Sequence, residues 1–242
     1  MSALATPSIL RGIASLLYPP SCTICAVSVD SGEYLCQECE GKISRIVPPF
    51  CAKCSEPFDG AITSTFSCAN CAHRRLHFDA AISAYRSRGI VRHVILNFKY
   101  GRQSHLRHLV ARWLVAAFDD DRLRERRFDA IVPVPLHPAR QRERGFNQAT
   151  LLAEWLSSHL SLPLHPALQR IHYTTTQTAF DRSERMQNLR GAFRLRKKAD
   201  VRRLRVLLID DVLTTGSTLS ECARVLKQGG ARSVYAATAA RA

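Results

Sequence analysis

Two adjacent carboxylates and a run of small hydroxyl residues lie close together near the carboxyl end of the sequence. Asp210 and Asp211 follow an apolar run, and the polar residues after them are Thr214, Thr215, Gly216, Ser217 and Thr218. Unpaired backbone N–H groups at the start of a helix bind phosphate, and small hydroxyl side chains add donors without blocking its approach. Because the acids would repel a bare phosphate, we interpret them as partners of ribose hydroxyls or of a magnesium ion. The pattern predicts a sugar-phosphate site, with an ordinary strand, turn and capped helix as the alternative.

The flanking residues predict elements that hold this site at one edge of a sheet. Residues 206–209 are an unbroken apolar run, as in a parallel strand that is covered on both faces. Residues 219–228 have the periodicity of an amphipathic helix, which Gly229 and Gly230 would end. Open α/β sheets bind their ligands at the carboxyl ends of the strands, which is where the acids and hydroxyls are expected to lie.

Several basic side chains could contribute to the same chemistry. A short buried strand at residues 128–135 precedes a predicted loop, residues 136–148. The guanidinium groups in this loop suit multidentate contacts with phosphate, and they belong to Arg140, Arg142 and Arg144. Lys99 lies near the end of a predicted helix and could reach a phosphate or simply balance the helix dipole.

Four C-x-x-C pairs predict metal binding. Two residues between thiolates let both bind one tetrahedral zinc ion, and this part of the sequence has few large apolar residues with which to build a core without metal. We expect two structural zinc sites formed by consecutive pairs, although crossed pairing stays open. A disulfide scaffold would require a secreted protein, and the apolar stretch at residues 9–17 is too short and amphipathic for a signal or membrane segment. The expected ligands are Cys22, Cys25, Cys36, Cys39, Cys51, Cys54, Cys68 and Cys71.

Charge is distributed unevenly along the sequence. Residues 1–72 carry four basic and six acidic side chains, a balance of −2, whereas the whole chain has a formal net charge of +15. The remaining residues therefore carry +17. A basic surface of this kind attracts an anionic small molecule or a nucleic acid. A solvated basic face without a ligand is the alternative.

These features divide the 242 residues into three predicted parts. Residues 1–21 form an amphipathic helix, residues 22–72 the cysteine module and residues 73–242 an α/β domain. Residues 173–193 form a mobile polar segment that carries Arg182 and Arg185. Within the α/β domain we expect strands at residues 78–85, 128–135, 206–209 and 233–239 and within 162–171, helices at 90–101, 106–118, 149–160 and 219–228, and a charged surface link at 119–127.

Taken together, these residues resemble the ComF/GntX family of competence proteins, in which a cysteine-rich zinc module precedes a type I phosphoribosyltransferase-like domain. The resemblance covers nearly the whole chain. It implies an α/β fold whose parallel sheet belongs to a type I phosphoribosyltransferase-like domain, with a small N-terminal double zinc-ribbon module. It rests on the cysteine pairs and on motifs at residues 98–101, 133–136, 144–148, 177–178, 188–193 and 210–218.

The resemblance also implies a ligand and roles for residues. In type I phosphoribosyltransferases the acid pair holds the ribose of 5-phosphoribosyl-1-pyrophosphate (PRPP), and the residues that correspond to 214–218 hold its 5′-phosphate. The loop at 136–148 would then receive the pyrophosphate, which carries magnesium, and Arg182 and Arg185 would lie on a flap that closes over it.

The resemblance further implies a cytoplasmic protein of DNA uptake or natural transformation. Such a protein would handle single-stranded DNA together with a helicase or a recombination loader. Two functions stay open. The domain could be a binding module for PRPP or a nucleotide 5′-phosphate that also holds DNA, or it could be an active, magnesium-dependent phosphoribosyltransferase acting on a nitrogen base.

Overall fold

The structure is a computed structural model that describes residues 19–60, 62, 66–101, 103–173 and 189–242. The chain forms two compact units, Met1–Ile43 and Ser44–Ala242. The first four cysteines belong to the first unit, and the other four share the second unit with the sheet. Residues 1–18 of the expected N-terminal helix lie outside the described residues, as do Arg182 and Arg185. The domain boundary that we expect after residue 72 stays a prediction.

A parallel sheet forms the centre of the second unit. Its strands lie in the order β1-β6-β5-β2. The two central strands are long and mainly apolar, and they are buried over most of their length, as expected when both faces of a sheet are covered. Two further short strands, β3 and β4, pair antiparallel in a second small sheet. The bounds are β1 Ala81–Arg86, β2 Ala130–Pro133, β3 Leu168–Arg170, β4 Phe193–Leu195, β5 Arg205–Leu213 and β6 Ser233–Arg241.

Three helices of the second unit pack on this sheet. The bounds of the helices in this unit, after α1 (Gln37–Gly41) in the first unit, are α2 Ala69–Ala72, α3 Gly89–Tyr100, α4 Arg107–Val115, α5 Asp121–Arg124, α6 Pro138–Arg144, α7 Gln148–Leu160 and α8 Ser217–Gln228. The three that pack on the sheet are α4, α7 and α8. α4 and α7 contact each other, and α4 also contacts β6 while α7 contacts β5. The apolar stripe of α8, which includes Cys222, packs beside Val206 and Leu208 of β5. Within the described ranges, no helix combines the length and apolar character needed to cross a bilayer.

β5 is longer than the apolar run that predicts it. Its pairing with β6 continues as far as Val212 opposite Ala240 and Leu213 opposite Arg241. Both acids therefore lie within the strand and not after it. Because side chains alternate along a strand, two consecutive acids project toward opposite faces of the sheet.

The charged link predicted at residues 119–127 is exposed over most of its length, but it also contains structure that the sequence did not predict. This segment contains the short helix α5, in which Leu123 is buried. Nη1 of Arg122 donates hydrogen bonds to the carbonyl oxygens of Cys51 (3.2 Å) and Ala52 (2.8 Å). The Arg122 side chain thus holds the turn that carries Cys51, a contact that the distribution of charges in the sequence does not reveal.

The prediction of an irregular loop at residues 136–148 is wrong for its central part, which is the helix α6. Pro138 fits the first turn, where its missing N–H group needs no partner. Nδ1 of His137 caps the helix by accepting a hydrogen bond from the N–H of Ala139 (3.2 Å). Gly145, with φ of 84°, ends it in the left-handed conformation that glycine adopts most easily.

Candidate functional site

The paired cysteines gather into two groups of four, in each of which all sulfur atoms lie within 4.8 Å of one another. The Sγ atoms of Cys25 and Cys36 are 3.6 Å apart, as are those of Cys54 and Cys68. Four sulfurs around one zinc ion at the usual bond length would be about 3.8 Å apart. Consecutive pairs combine, as we expected, and the crossed alternative is wrong. The first group is Cys22, Cys25, Cys36 and Cys39, and the second group is Cys51, Cys54, Cys68 and Cys71.

Both groups fit a structural zinc ion. Four thiolates fill a tetrahedral coordination sphere, so no position is left for a substrate or a catalytic water. The turn after the first cysteine is alike in both groups, since the N–H of Cys22 donates to the Val27 carbonyl (2.7 Å) and that of Cys51 to the Glu56 carbonyl (2.8 Å). The N–H of Cys68 also donates to Cys51 Sγ (3.4 Å), a contact that stabilises a metal-bound thiolate.

The hydroxyl-rich residues after β5 form the start of α8. Gly216 has φ of 75°, a conformation that other residues rarely adopt, and as the N-cap residue it has no side chain with which to bond the first N–H groups of the helix. The Oγ atoms of Thr215 and Ser217 lie 2.9 Å apart and are hydrogen-bonded. Thr214 is exposed and Thr218 is half-buried. The amino end of α8 therefore has the partial positive charge and the donors that bind an anion.

The structure brings Lys99 to the acid pair. Asp211 is 4% exposed, and its Oδ2 lies 2.8 Å from Nζ of Lys99 at the end of α3. Burial acts to lower the pKa of Lys99, but the adjacent Asp211 carboxylate outweighs burial, and the pKa is raised. Lys99 therefore stays charged and balances one of the two acids.

Asp210 projects toward the other face of β5. Burial, followed by the negative charge of Asp211, raises the pKa of Asp210 to about 7. Oδ1 of Asp210 accepts a hydrogen bond from the N–H of Asp211 (2.9 Å). A hydrogen-bond donor or a cation of a bound ligand would stabilise the charged form of a carboxyl group in this environment.

The arginines of α6 have different neighbours. Nη1 of Arg144 donates to Gln148 Oε1 (2.6 Å), and Arg142 is exposed. Burial and the charge of Arg140 lower the pKa of Arg170 on β3, while the charge of Asp210 acts to raise it. Arg170, which the sequence pattern did not single out, is thus electrostatically linked both to an arginine of α6 and to the acid pair.

Two more residues at the site were missed by sequence reasoning. Nδ2 of Asn70 donates a hydrogen bond to the carbonyl oxygen of Thr215 (3.2 Å). Arg74 donates from Nη1 to the same oxygen (3.0 Å) and from Nη2 to Ser217 Oγ (2.9 Å). Asn70 lies within the last C-x-x-C pair and Arg74 follows that pair, and no motif connects them with residues more than a hundred positions away.

Comparison with known proteins defines the class to which this fold and these sites belong. Residues 13–72 match the sequence profile of the double zinc ribbon domain, and residues 147–242 match that of the phosphoribosyl transferase domain. The protein therefore joins an N-terminal double zinc ribbon to a parallel-sheet domain of the type I phosphoribosyltransferase kind. Among solved structures, a purine phosphoribosyltransferase from Pyrococcus horikoshii is similar at 19% identity and a TM-score of 0.35, over 55% of this chain and 82% of that one.

Relatives along nearly the whole chain define the family. Competence protein F of Haemophilus influenzae is 34% identical over 212 residues, which are 86% of this chain and 90% of the relative. DNA utilization protein YhgH of Escherichia coli is 30% identical over 227 residues, 90% of this chain and 96% of the relative. Competence protein ComFC of Bacillus subtilis is 28% identical over 216 residues, 86% of this chain and 85% of the relative. The chain belongs to the ComF family of competence proteins.

Proposed function

We propose that this protein binds PRPP or a nucleotide 5′-phosphate at the amino end of α8 and holds single-stranded DNA on a separate basic surface. The observation that carries the first half is that Gly216 and Ser217 begin a helix directly after the strand that bears Asp210 and Asp211. A helix start favours a phosphate, and carboxylates favour sugar hydroxyls. A sugar phosphate carries a phosphate group and sugar hydroxyls within one small molecule, so it could contact the helix start and the acid pair together.

Each group at this site has a role in such a complex. Asp210 and Asp211 project to opposite faces near the carboxyl end of β5, so a ribose bound over that end could donate hydrogen bonds to both carboxyl groups. Lys99 would remain paired with Asp211. The 5′-phosphate would accept hydrogen bonds from the first N–H groups of α8. It would also contact the side-chain hydroxyls of Thr214, Thr215, Ser217 and Thr218.

The pyrophosphate end of PRPP would lie toward α6. The electrostatic link from Asp210 through Arg170 to Arg140 supports this direction. Magnesium that enters with PRPP would neutralise part of the pyrophosphate charge. The remaining cations that we assign to this end are Arg142, Arg144, Arg182 and Arg185.

For the DNA we propose a group of exposed basic side chains on β4 and on the segments before β2, β5 and β6, here called the basic edge. The N–H of Arg203 donates to the Gly230 carbonyl (2.8 Å) and that of Arg232 to the Leu204 carbonyl (2.8 Å), so the segments before β5 and β6 lie together. Exposed cations attract a phosphate backbone and release its counterions. The basic edge comprises Arg126, Arg127, Arg194, Arg196, Lys197, Lys198, Arg203 and Arg232.

Aromatic rings beside the basic edge support a single strand as its ligand. The guanidinium of Arg126 lies 5.4 Å from the ring centroid of Tyr235, and the Phe128 ring lies 6.0 Å from the same centroid. Both rings are partly exposed. Grooves that combine cations with aromatic faces bind single strands through the backbone and by stacking on the bases.

The two proposed sites lie at opposite ends of β5. The strand has 9 residues, which corresponds to about 26 Å at the usual rise per residue. DNA on the basic edge would therefore leave the sugar-phosphate site accessible, and both ligands could be bound together.

The names of the relatives support the DNA half of the proposal, since two are competence proteins and one is a DNA utilization protein. A helicase or a recombination loader of DNA uptake is the protein partner that this function implies. Action in the cytoplasm would suit the cysteine groups, because thiols stay reduced and available for zinc there.

The pKa of Asp210 favours a second function, that of an active phosphoribosyltransferase. A carboxyl group that titrates near pH 7 can accept the proton of an attacking nitrogen base. The nitrogen would form a bond to the anomeric carbon of PRPP while the bond from that carbon to pyrophosphate breaks. Pyrophosphate would leave with the electron pair of that bond and with its magnesium.

Calorimetric titration with PRPP and magnesium tests the pocket. We expect saturable binding of one PRPP per chain, and the absence of binding would refute the proposed pocket. Incubation with PRPP, magnesium and a panel of nucleobases then separates the two functions. A binding module releases no pyrophosphate, whereas sustained release would establish the transferase.

A further inference from the structure

The second cysteine group contacts the candidate phosphate site directly. Cys71, one of its four members, lies between Asn70 and Arg74, whose side chains both donate to the carbonyl oxygen of Thr215. Arg74 also donates to Ser217 Oγ (2.9 Å) and, from Nη1, to Oδ1 of Asn70 (2.5 Å). The side chains on both sides of one cysteine therefore hold the backbone and a hydroxyl of the phosphate-binding residues.

The contact continues along the chain after Arg74. The N–H of His77 donates to Ser220 Oγ in the first turn of α8 (3.0 Å). The buried ring of Phe78 lies beside Gly216, where its atoms would be 3.5 Å from a Cβ placed on that residue. The segment that leaves the second cysteine group thus lines the back of the phosphate site over several residues.

We infer that zinc in the second cysteine group positions the phosphate-binding residues, so that ligand affinity at α8 depends on the metal content of this group. The inference rests on the proposed phosphate site. α2 has 4 residues, too few to form a helix on their own, and a small cysteine module takes its folding free energy from the metal. When the metal leaves, Asn70 and Arg74 lose their fixed positions, and the Thr215 carbonyl loses two donors.

The orientation of the peptide after Thr215 decides where the following N–H groups point. These groups are the donors that the proposed 5′-phosphate needs. Loss of a charged donor from such a position is expected to weaken PRPP binding about tenfold or more. The first cysteine group belongs to the other compact unit, so its metal is expected to have no comparable effect.

The first test uses a variant that keeps every cysteine. Arg74→Gln removes the charged donor, and Arg75→Gln, at the exposed neighbouring position, is the matched control. In the protein without ligand, we expect faster backbone hydrogen exchange over residues 214–220 in Arg74→Gln than in Arg75→Gln or the wild type. We also expect PRPP binding to weaken about tenfold in Arg74→Gln alone. Equal exchange in both variants would overturn the inference.

The second test removes one metal at a time. Cys71→Ser and Cys39→Ser each disrupt one group, and the zinc content per chain confirms the loss. Faster exchange over residues 214–220 and weaker PRPP binding are expected for Cys71→Ser and not for Cys39→Ser. An identical response of the two variants would contradict the inference.

The two tests also separate this inference from the proposed function. If the wild type does not bind PRPP, the proposed pocket fails, while hydrogen exchange without ligand still decides whether the second cysteine group positions these residues. If Cys71→Ser does not fold, Arg74→Gln, in which both cysteine groups are intact, still decides whether the contact from the segment after Cys71 positions residues 214–220.

Discussion

Lys99 at the end of α3 and Asp211 near the end of β5 form an ion pair with a distance of 2.8 Å between Nζ and Oδ2. The two side chains are 22% and 6% exposed. The pair therefore joins a helix to the centre of the sheet beside the candidate phosphate site. A buried carboxylate that loses such a partner keeps its desolvation cost without compensation.

Replacing Lys99 by methionine is expected to destabilise the protein strongly. Lys99→Met leaves the Asp211 charge buried and unpaired, so the free energy of unfolding should fall by about 3 kcal/mol. Adding Asp211→Asn to the same chain should restore part of the loss, because the uncompensated charge is then removed. Urea denaturation of the single and double variants measures both effects.

The exposed ion pair of Arg124 and Asp121 provides the control for this measurement, since its side chains are 64% and 66% exposed. Arg124→Met should change the free energy of unfolding by less than about 1 kcal/mol. Losses of similar size in Lys99→Met and Arg124→Met would show that burial of the pair with Asp211 has no energetic consequence.

Asp210 is expected to make the protein less stable as the pH rises. Burial and the charge of Asp211 raise the pKa of Asp210 from its ordinary value near 4 to about 7. Between these values the folded chain binds the proton and the unfolded chain does not, so stability falls as the pH increases from 4 to 7. Asp210→Asn removes this dependence. The change that it causes in the free energy of unfolding should be more favourable at pH 8 than at pH 5, by at most about 3 kcal/mol. Melting temperatures of wild type and variant at both pH values measure the difference.

Asp129 should behave in the opposite way and serves as the control. Hydrogen bonds from Arg205 lower the pKa of Asp129 to about 2. Its stabilising effect is present above pH 4 and is lost as the pH falls toward 2. Asp129→Asn should therefore be destabilising at neutral pH and lose this effect in acid. The same pH trend in Asp210→Asn and Asp129→Asn would refute the assignment for Asp210.

The acid pair should determine PRPP affinity. Asp210→Asn combined with Asp211→Asn removes both acceptors proposed for the ribose hydroxyls, and calorimetry should show binding at least about tenfold weaker. Circular dichroism checks that the fold is retained. Asp200→Asn, at an exposed carboxylate paired with Arg202, should leave the affinity unchanged. An unchanged affinity in the double variant would show that the pocket lies elsewhere.

The local part of the site could be predicted from the sequence because phosphate binding at a helix start requires certain residue types in consecutive order. Gly216, Ser217 and the acid pair all lie within one short stretch. The same holds for the cysteine groups, since the spacing within each pair already suits a tetrahedral metal.

The parts of the site that could not be predicted depend on distant contacts. Arg74 donates a hydrogen bond to Thr215, 141 positions later in the sequence, and the charge of Asp210 acts on the pKa of Arg170 on β3. The full length of β5 was missed for a similar reason, because its last residues are extended by pairing with β6. Residue types at such positions have no local signature, so the fold has to be known before their roles can be recognised.

Charge removal at the basic edge should weaken binding of single-stranded DNA more than equal charge removal elsewhere. Arg194→Gln with Arg203→Gln removes two exposed cations from the basic edge, whereas Arg88→Gln with Arg92→Gln removes two exposed cations at the amino end of α3. Loss of two phosphate contacts should reduce the log–log dependence of affinity on salt by about 1.4. Fluorescence anisotropy of a labelled oligonucleotide over a range of salt concentrations measures this dependence.

The same assay tests whether the two sites are separate. Saturating PRPP with magnesium should not displace the oligonucleotide, because β5 separates the basic edge from the start of α8. Competition between the ligands would mean that DNA occupies the sugar-phosphate site. An equal loss of DNA affinity in both double variants would instead mean that binding depends on net charge alone. If the DNA binds at the basic edge, removal of two cations elsewhere should weaken binding less than removal of two cations from the basic edge.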